Sequence, residues 1–321
     1  MVIYDLTKCP YSNRNGSYGG AAGDKDGILI DGEEWITKYP KATIGMHKND
    51  KLSPFAQTPL SEYLGSHIYQ ILGYPVHETI LGIRKEHVVV ACRDFCSGNT
   101  RLLEMRTLKN IHISEMNREF GTDLHETSDD RLVNLNELFI HFRLNPEIAK
   151  IQAVSERFWD QVVIDGLIGN NDRNNGNWGI LAEGHERTLA PIFDNGASFY
   201  PKKSTLAIER ILQLPEKDQA RNNANMQEPY TLDGEHHLNY MQMLSLDEDQ
   251  IPPAQVVLLK QAIQRNAGLV EQKIDEIRDL FQDIPGEYEG YTIITEARRS
   301  YYYKSFLTRF EDVLRRRCDQ L

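Results

Sequence analysis

The spacing of apolar residues changes near residue 98, and this change constrains the fold more than any other feature of the chain. Before it, β-branched and aromatic residues form short segments separated by glycine, aspartate and proline, as in strands and turns. After it, apolar residues recur every three or four positions, as on one face of a helix. We therefore predict an α+β protein with two lobes, a small strand-rich lobe over residues 1–98 and a larger helical lobe over residues 99–321. A crevice between two such lobes would be a natural ligand site.

In the first lobe, residues 28–40 predict a hairpin whose turn is Asp31-Gly32. Residues 58–73 predict a helix that has a proline in its first turn and ends at a glycine. Two strands are expected within residues 77–95, and a glycine-rich turn over residues 17–27. "MVIYDL" at the start of the chain could add a short strand.

The second lobe should begin with amphipathic helices over residues 132–144 and 147–169. Short strands are expected at 178–181 and 189–193. The polar stretch 214–237 is expected to be a loop. Two helices, residues 253–281 and 295–318, should close the chain; the second is rich in Tyr and Arg. We expect its basic run to be a solvated helix face, with RNA or an acidic partner as the other interpretation.

Charge and cysteine usage exclude several classes of protein. The net charge of −11 argues against a general binder of nucleic acid or anionic membrane. The four cysteines do not form two ligand pairs, so we assign no zinc site. No secretory signal and no membrane-spanning apolar run is visible. We therefore expect a cytoplasmic protein with reduced thiols, although export without a visible signal peptide stays open.

One ordered set of residues is suited to phosphoryl transfer. A nucleotide triphosphate needs nearby backbone N–H groups, and glycines such as Gly19, Gly20 and Gly23 allow a close approach. Lys38, on the second strand of the hairpin, could bind the α- and β-phosphates. Glu62, near the start of the first long helix, could hold that lysine.

The remaining groups follow in "NNDRNNGNWG" (170–179) and "IFDNG" (192–196). We nominate Asp172 to position the attacking hydroxyl group. The side-chain oxygens of Asn177 and Asp194 are the hard ligands that Mg²⁺ prefers. Asp172 and Asn177 have the five-residue spacing of the catalytic Asp and Asn in protein kinases, although no His-Arg pair precedes Asp172. We expect Arg173 to be structural.

Each feature alone has an ordinary structural explanation, and other functions stay open. The stretch "DRNNGNWGILAE" (172–183) has the length of an EF-hand calcium loop, but its sixth position is Asn177 and a strand is expected after it. A pseudokinase or interaction protein would keep the fold without the activity. A third alternative is a kinase-fold enzyme that acts on the hydroxyl group of a small molecule or a lipid.

The segment "NNDRNNGNWGIL…LAPIFDNGASF" resembles the N-x-D-R-H-x-x-N…A-P-x-[FY]-D segment of HipA-like bacterial serine/threonine kinases. "EEWITKYP", "LSEYLGSHIYQILG" and "VVVACRDF" are similar to the family's lysine strand, glutamate helix and strand before the hinge. The resemblance extends over about residues 15–200. It implies a bilobal protein-kinase-like fold and transfer from ATP, with Mg²⁺, to a protein hydroxyl group. By position, it implies that Arg93, Asp94 and Phe95 lie where the hinge meets adenine.

The resemblance also implies partners and regulation. Some members are toxins of toxin–antitoxin pairs, and known HipA toxins modify aminoacyl-tRNA synthetases. An antitoxin and a substrate of that kind, or a translation factor, are therefore expectations, with no direct binding of nucleic acid. HipA is autophosphorylated on a serine of its phosphate loop; here Ser17, Tyr18 or the region 198–205 could serve.

The chain departs from the family in two places. Asn174 replaces the family's histidine, and the chain starts almost at the phosphate loop, without the additional N-terminal subdomain of HipA. It is thus similar to compact stand-alone members, or to the kinases of split HipA-type systems.

Overall fold

The computed structural model describes residues 1–16, 25–43, 51–96, 98–126, 132–151, 153–224 and 226–321. The glycines Gly19, Gly20 and Gly23, and the hydroxyl groups of Ser17 and Tyr18, lie outside the described residues. The expectations made for the phosphate loop therefore stay predictions.

The first part of the chain forms a five-stranded sheet in the order β1-β4-β5-β3-β2. Its strands are β1 (Tyr4–Asp5), β2 (Lys25–Ile30), β3 (Glu33–Lys38), β4 (Thr79–Arg84) and β5 (His87–Arg93). The hairpin prediction is confirmed, because β2 and β3 pair antiparallel through Asp31 and Gly32. These two residues have φ angles of 52° and 84°, the left-handed conformation that a two-residue hairpin turn of this type requires.

Helix α1 (Thr58–Ile71) packs on this sheet and carries Glu62. Pro59 lies in its first turn, where the missing N–H costs nothing, and Gly73 follows its end with a φ of 85°. The predicted helix is confirmed, and it places Glu62 fully inside the protein, beneath the strand that carries Lys38.

The rest of the chain is mainly helical. Its helices are α2 (Met105–Ile111), α3 (Ile113–Phe120), α4 (Leu135–Leu144), α5 (Val154–Ile168), α6 (Thr205–Leu212), α7 (Glu216–Ala224), α8 (Tyr240–Leu244), α9 (Pro253–Asp283), α10 (Glu296–Arg309) and α11 (Arg316–Cys318), with a π-helical turn, Phe310–Arg315, between the last two. Its strands are β6 (Arg101–Glu104), β7 (Val133–Asn134), β8 (Gly179–Glu183), β9 (Glu186–Leu189), β10 (Tyr230–Thr231), β11 (Glu287–Tyr288) and β12 (Tyr291–Thr292). Helix α5 packs against α9 in the core, and the antiparallel sheet β6-β8-β9 lies at the end of the loop that follows α5.

Two of the predicted elements differ from the structure in their extent or type. Helix α5 begins at Val154 instead of residue 147, because Ala153 adopts a left-handed φ of 67°. The segment 189–193 is not a strand: β9 ends at Leu189, Pro191 has no N–H to donate, and Ile192 makes only an isolated bridge to Val76.

The stretch 214–237 is not a simple loop, because it contains α7 and β10. Helix α7 begins directly after Pro215 and has two acidic residues in its first turn, which favour a helix start. Its contacts with α10 explain why so polar a sequence becomes helical.

The expectation of a solvated basic face holds for only part of the Tyr- and Arg-rich C-terminal segment, in which Arg315, Arg316 and Arg317 are exposed or half-buried. The side chains of Arg298, Tyr301, Tyr302 and Arg309 are at most 3% exposed. Tyr302 stacks on Phe199, with ring centroids 5.2 Å apart. The helix therefore packs against Phe199, in the segment that follows Asp194. Among the described helices, none combines the length and the apolar character needed to cross a membrane.

Candidate active site

Lys38, Glu62 and Asp194 come together from three separate parts of the chain. The Lys38 ammonium group donates hydrogen bonds to Oε2 of Glu62 and to Oδ1 of Asp194, both at 2.8 Å. The Glu62 side chain is fully buried, whereas that of Asp194 is 39% exposed. Lys38 thus links the five-stranded sheet to the segment that carries Asp194. The Asp194 carboxylate is the one that faces solvent.

The charges of this group stabilise one another. Burial by itself would lower the pKa of Lys38, but Asp194 and Glu62 raise it well above the ordinary value. Burial would raise the pKa of Glu62, but Lys38 and His77 lower it. Lys38 also lowers the pKa of Asp194. All three groups therefore stay charged near neutral pH.

Glu62 has two further partners on its other oxygen. His77 Nε2 lies 3.0 Å from Oε1, and the backbone N–H of Asn195 donates to the same atom at 2.8 Å. The Asn195 side chain donates to Ser66 Oγ at 3.0 Å, so helix α1 holds Glu62 and the residue after Asp194 together.

The side chains of Glu62, His77 and Cys92 form a buried cluster with ligand atoms within 4.8 Å of one another. Both carboxylate oxygens of Glu62 already accept hydrogen bonds, and burial raises the pKa of the Cys92 thiol. A metal ion there would have to break the contacts of Glu62 with Lys38 and His77, so the contacts favour a support for Lys38 over a metal site.

The loop after α5 carries Asp172, and Arg173 holds it in place. The Arg173 guanidinium group is 1% exposed and donates from Nε and Nη2 to the two oxygens of Asp165, at 2.7 and 3.0 Å. Asp165 is fully buried in α5 and also accepts from Tyr69 and Asn170. The contacts of Arg173 with Asp165 suit the structural role expected for it.

The same guanidinium group binds both halves of the candidate site. It donates to the carbonyl of Asn177 at 2.9 Å, to the carbonyl of Phe193, and to Oδ1 of Asn195 at 2.5 Å. Asn177 follows Asp172, and Phe193 and Asn195 flank Asp194. One buried side chain therefore fixes the loop of Asp172 relative to Asp194.

The amide side chains of the loop give it its shape. Asn177 Nδ2 donates to the backbone carbonyl of Asp172, which leaves its Oδ1 as a possible ligand. Asn174 Nδ2 donates to Oδ1 of Asp172 at 3.0 Å. Asp172 faces solvent, yet partial burial raises the pKa of its carboxyl group, and the hydrogen bond from Asn174 acts in the opposite direction. Strand β8 follows this loop, and an EF-hand would need a helix there.

Two glycines permit the close packing around Asp194. A Cβ atom on Gly65 of α1 would lie 2.8 Å from Cβ of Asn195, and one on Gly196 would lie 2.7 Å from Cγ2 of Thr58. Asp194 itself has a φ of 61°, which costs energy for a non-glycine residue and is held by the surrounding contacts.

The expected hinge residues lie at the end of β5 and directly after it. Arg93 is exposed and pairs with Glu33 and Glu78, on the outside of the sheet. The backbone N–H of Asp94 donates to the carbonyl of Glu34 at 2.9 Å. Phe95 is half-buried, and its ring centroid lies 5.7 Å from that of Phe193, the residue before Asp194. Of the three hinge residues, Phe95 thus has the clearest contact with the candidate site.

A cleft of about 750 Å³ opens beside Asp172 and Asp194. It is lined by the chain after Asp194, by one face of α6, and by residues of the first lobe that include Lys41. None of the hinge residues line it. The cleft therefore adjoins Asp172 and Asp194 without including the expected hinge residues.

Sequence reasoning brought together Lys38, Glu62, Asp172, Asn177 and Asp194 but missed the residues that support them. Asp165 could have been noticed as an acidic residue within the apolar second half of α5, where a buried charge needs a partner. Nothing in the sequence alone indicates the roles of His77 and Asn195.

Lys25 was missed as well. It lies opposite Lys38 in the β2–β3 ladder. Burial lowers the pKa of Lys25 most, and the nearby charge of Lys38 lowers it further. It is thus a second lysine on the Lys38 side of the site.

Comparisons with known proteins show which proteins this chain is similar to. No family model matches the chain. The serine/threonine-protein kinase CtkA of Helicobacter pylori (strain J99) is 32% identical over 252 residues, which cover 76% of this chain and 71% of CtkA. The crystal structure of the H. pylori proinflammatory kinase CtkA superposes with a TM-score of 0.82 and 26% identity, over 99% of this chain and 97% of that one.

HipA from Shewanella oneidensis MR-1, in a complex with HipB and operator DNA, superposes with a TM-score of 0.50. It is 15% identical, and the superposition covers 97% of this chain and 67% of the HipA structure. At that identity the likeness concerns the fold alone.

Proposed function

This chain belongs to the HipA-like family of serine/threonine-protein kinases that includes CtkA, and from that premise we propose a transfer of the γ-phosphate of ATP that depends on Mg²⁺. The observation that carries the proposal is the position of Lys38 between Glu62 and Asp194, next to a loop that presents Asp172. These are the groups that phosphoryl transfer needs.

In this proposal, Lys38 binds the α- and β-phosphates of ATP. Its contact with fully buried Glu62 fixes the direction of the ammonium group, since the carboxylate is held in turn by His77 and by the backbone of Asn195. The glycines Gly19, Gly20 and Gly23 would supply backbone N–H groups, and Phe95, with its neighbours Arg93 and Asp94, would lie beside adenine. A residue that replaces Lys38 without a charge should weaken binding of the phosphates most.

The residues present fit a magnesium ion. Asp194 offers a carboxylate whose pKa is lowered by Lys38, and Asn177 offers an amide oxygen because its Nδ2 is already engaged. Hard oxygen ligands of this kind suit Mg²⁺. When bound, the ion would neutralise charge on the phosphates.

Asp172 acts on the acceptor. Its carboxylate orients the acceptor hydroxyl group and takes up its proton as the oxygen attacks the γ-phosphorus. The bond between that phosphorus and the β,γ-bridging oxygen breaks, and ADP leaves. Arg173 contributes by holding the loop, since its contacts with Asn177, Phe193 and Asn195 set the place of Asp172 relative to Asp194.

The proposal is tested by transfer of labelled phosphate from ATP to the protein itself and to one acidic and one basic protein acceptor. Wild type should transfer phosphate with Mg²⁺ and stop when EDTA is added. Asp194→Asn should lose transfer, while the exposed control Asp249→Asn should keep it. Equal activity of Asp194→Asn and Asp249→Asn, or transfer that survives EDTA, would contradict the proposed roles. Circular dichroism and thermal unfolding check that each variant is folded.

Other expectations of the resemblance stay predictions. They are an antitoxin partner, an aminoacyl-tRNA synthetase or translation factor as the substrate, and autophosphorylation near Ser17 and Tyr18 or within residues 198–205. The division of the chain into lobes at residue 98 and the cytoplasmic location also stay predictions.

A further inference from the structure

The cleft beside Asp172 has a basic rim. Lys41, Lys202 and Lys203 line it, together with Lys51 and Arg210. The acidic residues of its lining are Asp172 and Asp194, which we have placed in the phosphoryl-transfer machinery. The other charged residues that line the cleft are all cationic, whereas the whole chain has a net charge of −11. The charge of the cleft rim is thus opposite in sign to the net charge of the protein.

Three of these cations have no ion-pair partner among the residues that the structure describes. Within the described ranges, no carboxylate forms an ion pair with Lys41, Lys202 or Lys203. The Lys203 ammonium group lies over the rings of Tyr200 and Tyr301, 4.9 and 5.4 Å from their centroids. Burial lowers the pKa of Lys203, which means that a carboxylate brought close to it would stabilise its charged form.

The rim is held in place by the backbone on both sides. The carbonyl of Lys203 accepts a hydrogen bond from buried Arg298 at 2.8 Å, and the carbonyl of Lys202 accepts one from the backbone N–H of Ser53 at 2.8 Å. Leu52 forms an isolated bridge with Lys203. These bonds fix the backbone that carries Lys202 and Lys203, so less backbone entropy is lost on binding than in a mobile segment.

The cleft also offers apolar surface between the charges. Leu52, Tyr200, Pro201 and Ile211 line it along with the lysines. An extended segment of polypeptide could therefore lay aliphatic parts of its side chains on this surface while its acidic groups meet the rim.

We propose that the cleft binds an acidic acceptor segment, in which aspartate or glutamate residues flank the phosphorylated serine or threonine. This inference rests on the proposed function, because the acceptor hydroxyl group is the one that Asp172 orients. Lys41, Lys202 and Lys203 line the cleft together with Asp172, whereas the expected hinge residues do not, so the cleft suits an acceptor better than the adenine of ATP. Complementary charge then selects the substrate and speeds its association.

The test compares two fluorescent peptides that differ only in their charged flanking residues, glutamate in one and lysine in the other, around a single serine. Binding is measured by anisotropy on wild type without nucleotide. We expect the acidic peptide to bind at least ~10-fold more tightly than the basic one, and its affinity to fall as salt increases. Similar affinities, no binding of either peptide at 1 mM (~4 kcal/mol of binding free energy), or tighter binding of the basic peptide would overturn the inference.

Charge reversal locates the effect. Lys202→Glu/Lys203→Glu should weaken binding of the acidic peptide ~10-fold or more. The control Lys150→Glu/Lys260→Glu makes the same change in net charge at exposed sites outside the cleft and should alter it less than ~2-fold. Because Lys203 is half-buried, the single variant at exposed Lys202 is measured as well, with circular dichroism on each. Equal effects of the cleft and control pairs would refute the site.

Two further readings separate this inference from others. If the cleft variants weaken binding of ATP as much as that of the peptide, the lysines serve the nucleotide and the inference is wrong. Transfer of phosphate by wild type, with equal kcat/KM for the two peptides, would refute the acidic acceptor and leave the kinase intact. Selective binding of the acidic peptide without any phosphate transfer would instead contradict the proposed function.

Discussion

Replacing Arg173 by methionine should damage stability and catalysis together. The guanidinium group and Asp165 are both at most 1% exposed, and Arg173 donates two hydrogen bonds to the carboxylate. Burial would lower the pKa of Arg173, but Asp165 raises it, so Arg173 stays charged. In Arg173→Met, the Asp165 carboxylate would stay buried with only Tyr69 and Asn170 as side-chain donors.

The magnitude follows from this burial. Removing one partner of a buried ion pair costs about 3–5 kcal/mol, because the other charge is left without compensation. An unfolding entropy of ~2 cal/mol/K per residue over 321 residues converts this loss into a decrease of roughly 4–8 °C in Tm. Removing the second charge as well should restore part of the loss, so Arg173→Met/Asp165→Asn should be at least ~1 kcal/mol more stable than Arg173→Met.

The assay is calorimetric unfolding of wild type, both single variants and the double variant, alongside phosphate transfer. Arg173→Lys is the informative companion, because it keeps the charge but cannot reach Asp165, Asn177 and Asn195 at once. It should retain more stability than methionine and still lose most of the activity. A Tm within 2 °C of wild type for Arg173→Met, or strictly additive effects in the cycle, would refute the argument.

Three other predictions test neighbouring parts of the site. Asn174→Ala removes the hydrogen bond that lowers the pKa of Asp172. Because the proton acceptor must be ionised, the acidic limb of the pH profile of kcat/KM should move to higher pH. An acidic limb at the same pH or at a lower pH would contradict the role of Asn174. Gly65→Ala should lower kcat at least ~10-fold with little loss of helix, since its Cβ would lie 2.8 Å from Cβ of Asn195; near-normal kcat would show that α1 can shift freely. Lys25→Met should raise KM for ATP more than it lowers kcat, because Lys25 lies opposite Lys38; a loss of kcat alone would place it elsewhere in the mechanism.

Local signals predicted the parts of the fold that depend on neighbouring residues. Asp31-Gly32 indicated the hairpin turn because that turn needs two residues with positive φ. Pro59 and Gly73 bracketed helix α1 for similarly local reasons. Elements that depend on distant contacts were missed, such as α7, whose polar sequence becomes helical where it packs on α10.

In the candidate site, too, local signals indicated some residues, whereas those that depend on distant contacts were missed. Asp172, Asn177 and Asp194 could be found because the chemistry requires their residue types at short spacing. Their support could not, because His77 meets Glu62 and Arg173 meets Asp165 only after α1 and α5 are folded. The burial of the C-terminal arginines was also hidden, since a basic run has the same sequence whether it faces solvent or, like Arg309, donates to the carbonyl of Leu167.

The central claim is that Asp172 acts on the acceptor and not on ATP. The most direct measurement is single-turnover transfer from labelled ATP in Asp172→Asn, together with the Kd of ATP·Mg²⁺ by calorimetry. The account predicts that Kd stays within ~3-fold of wild type while the rate of transfer falls at least ~100-fold, because the variant keeps the phosphate site and loses the proton acceptor. Transfer by folded Asp172→Asn at a rate near that of wild type would contradict the account.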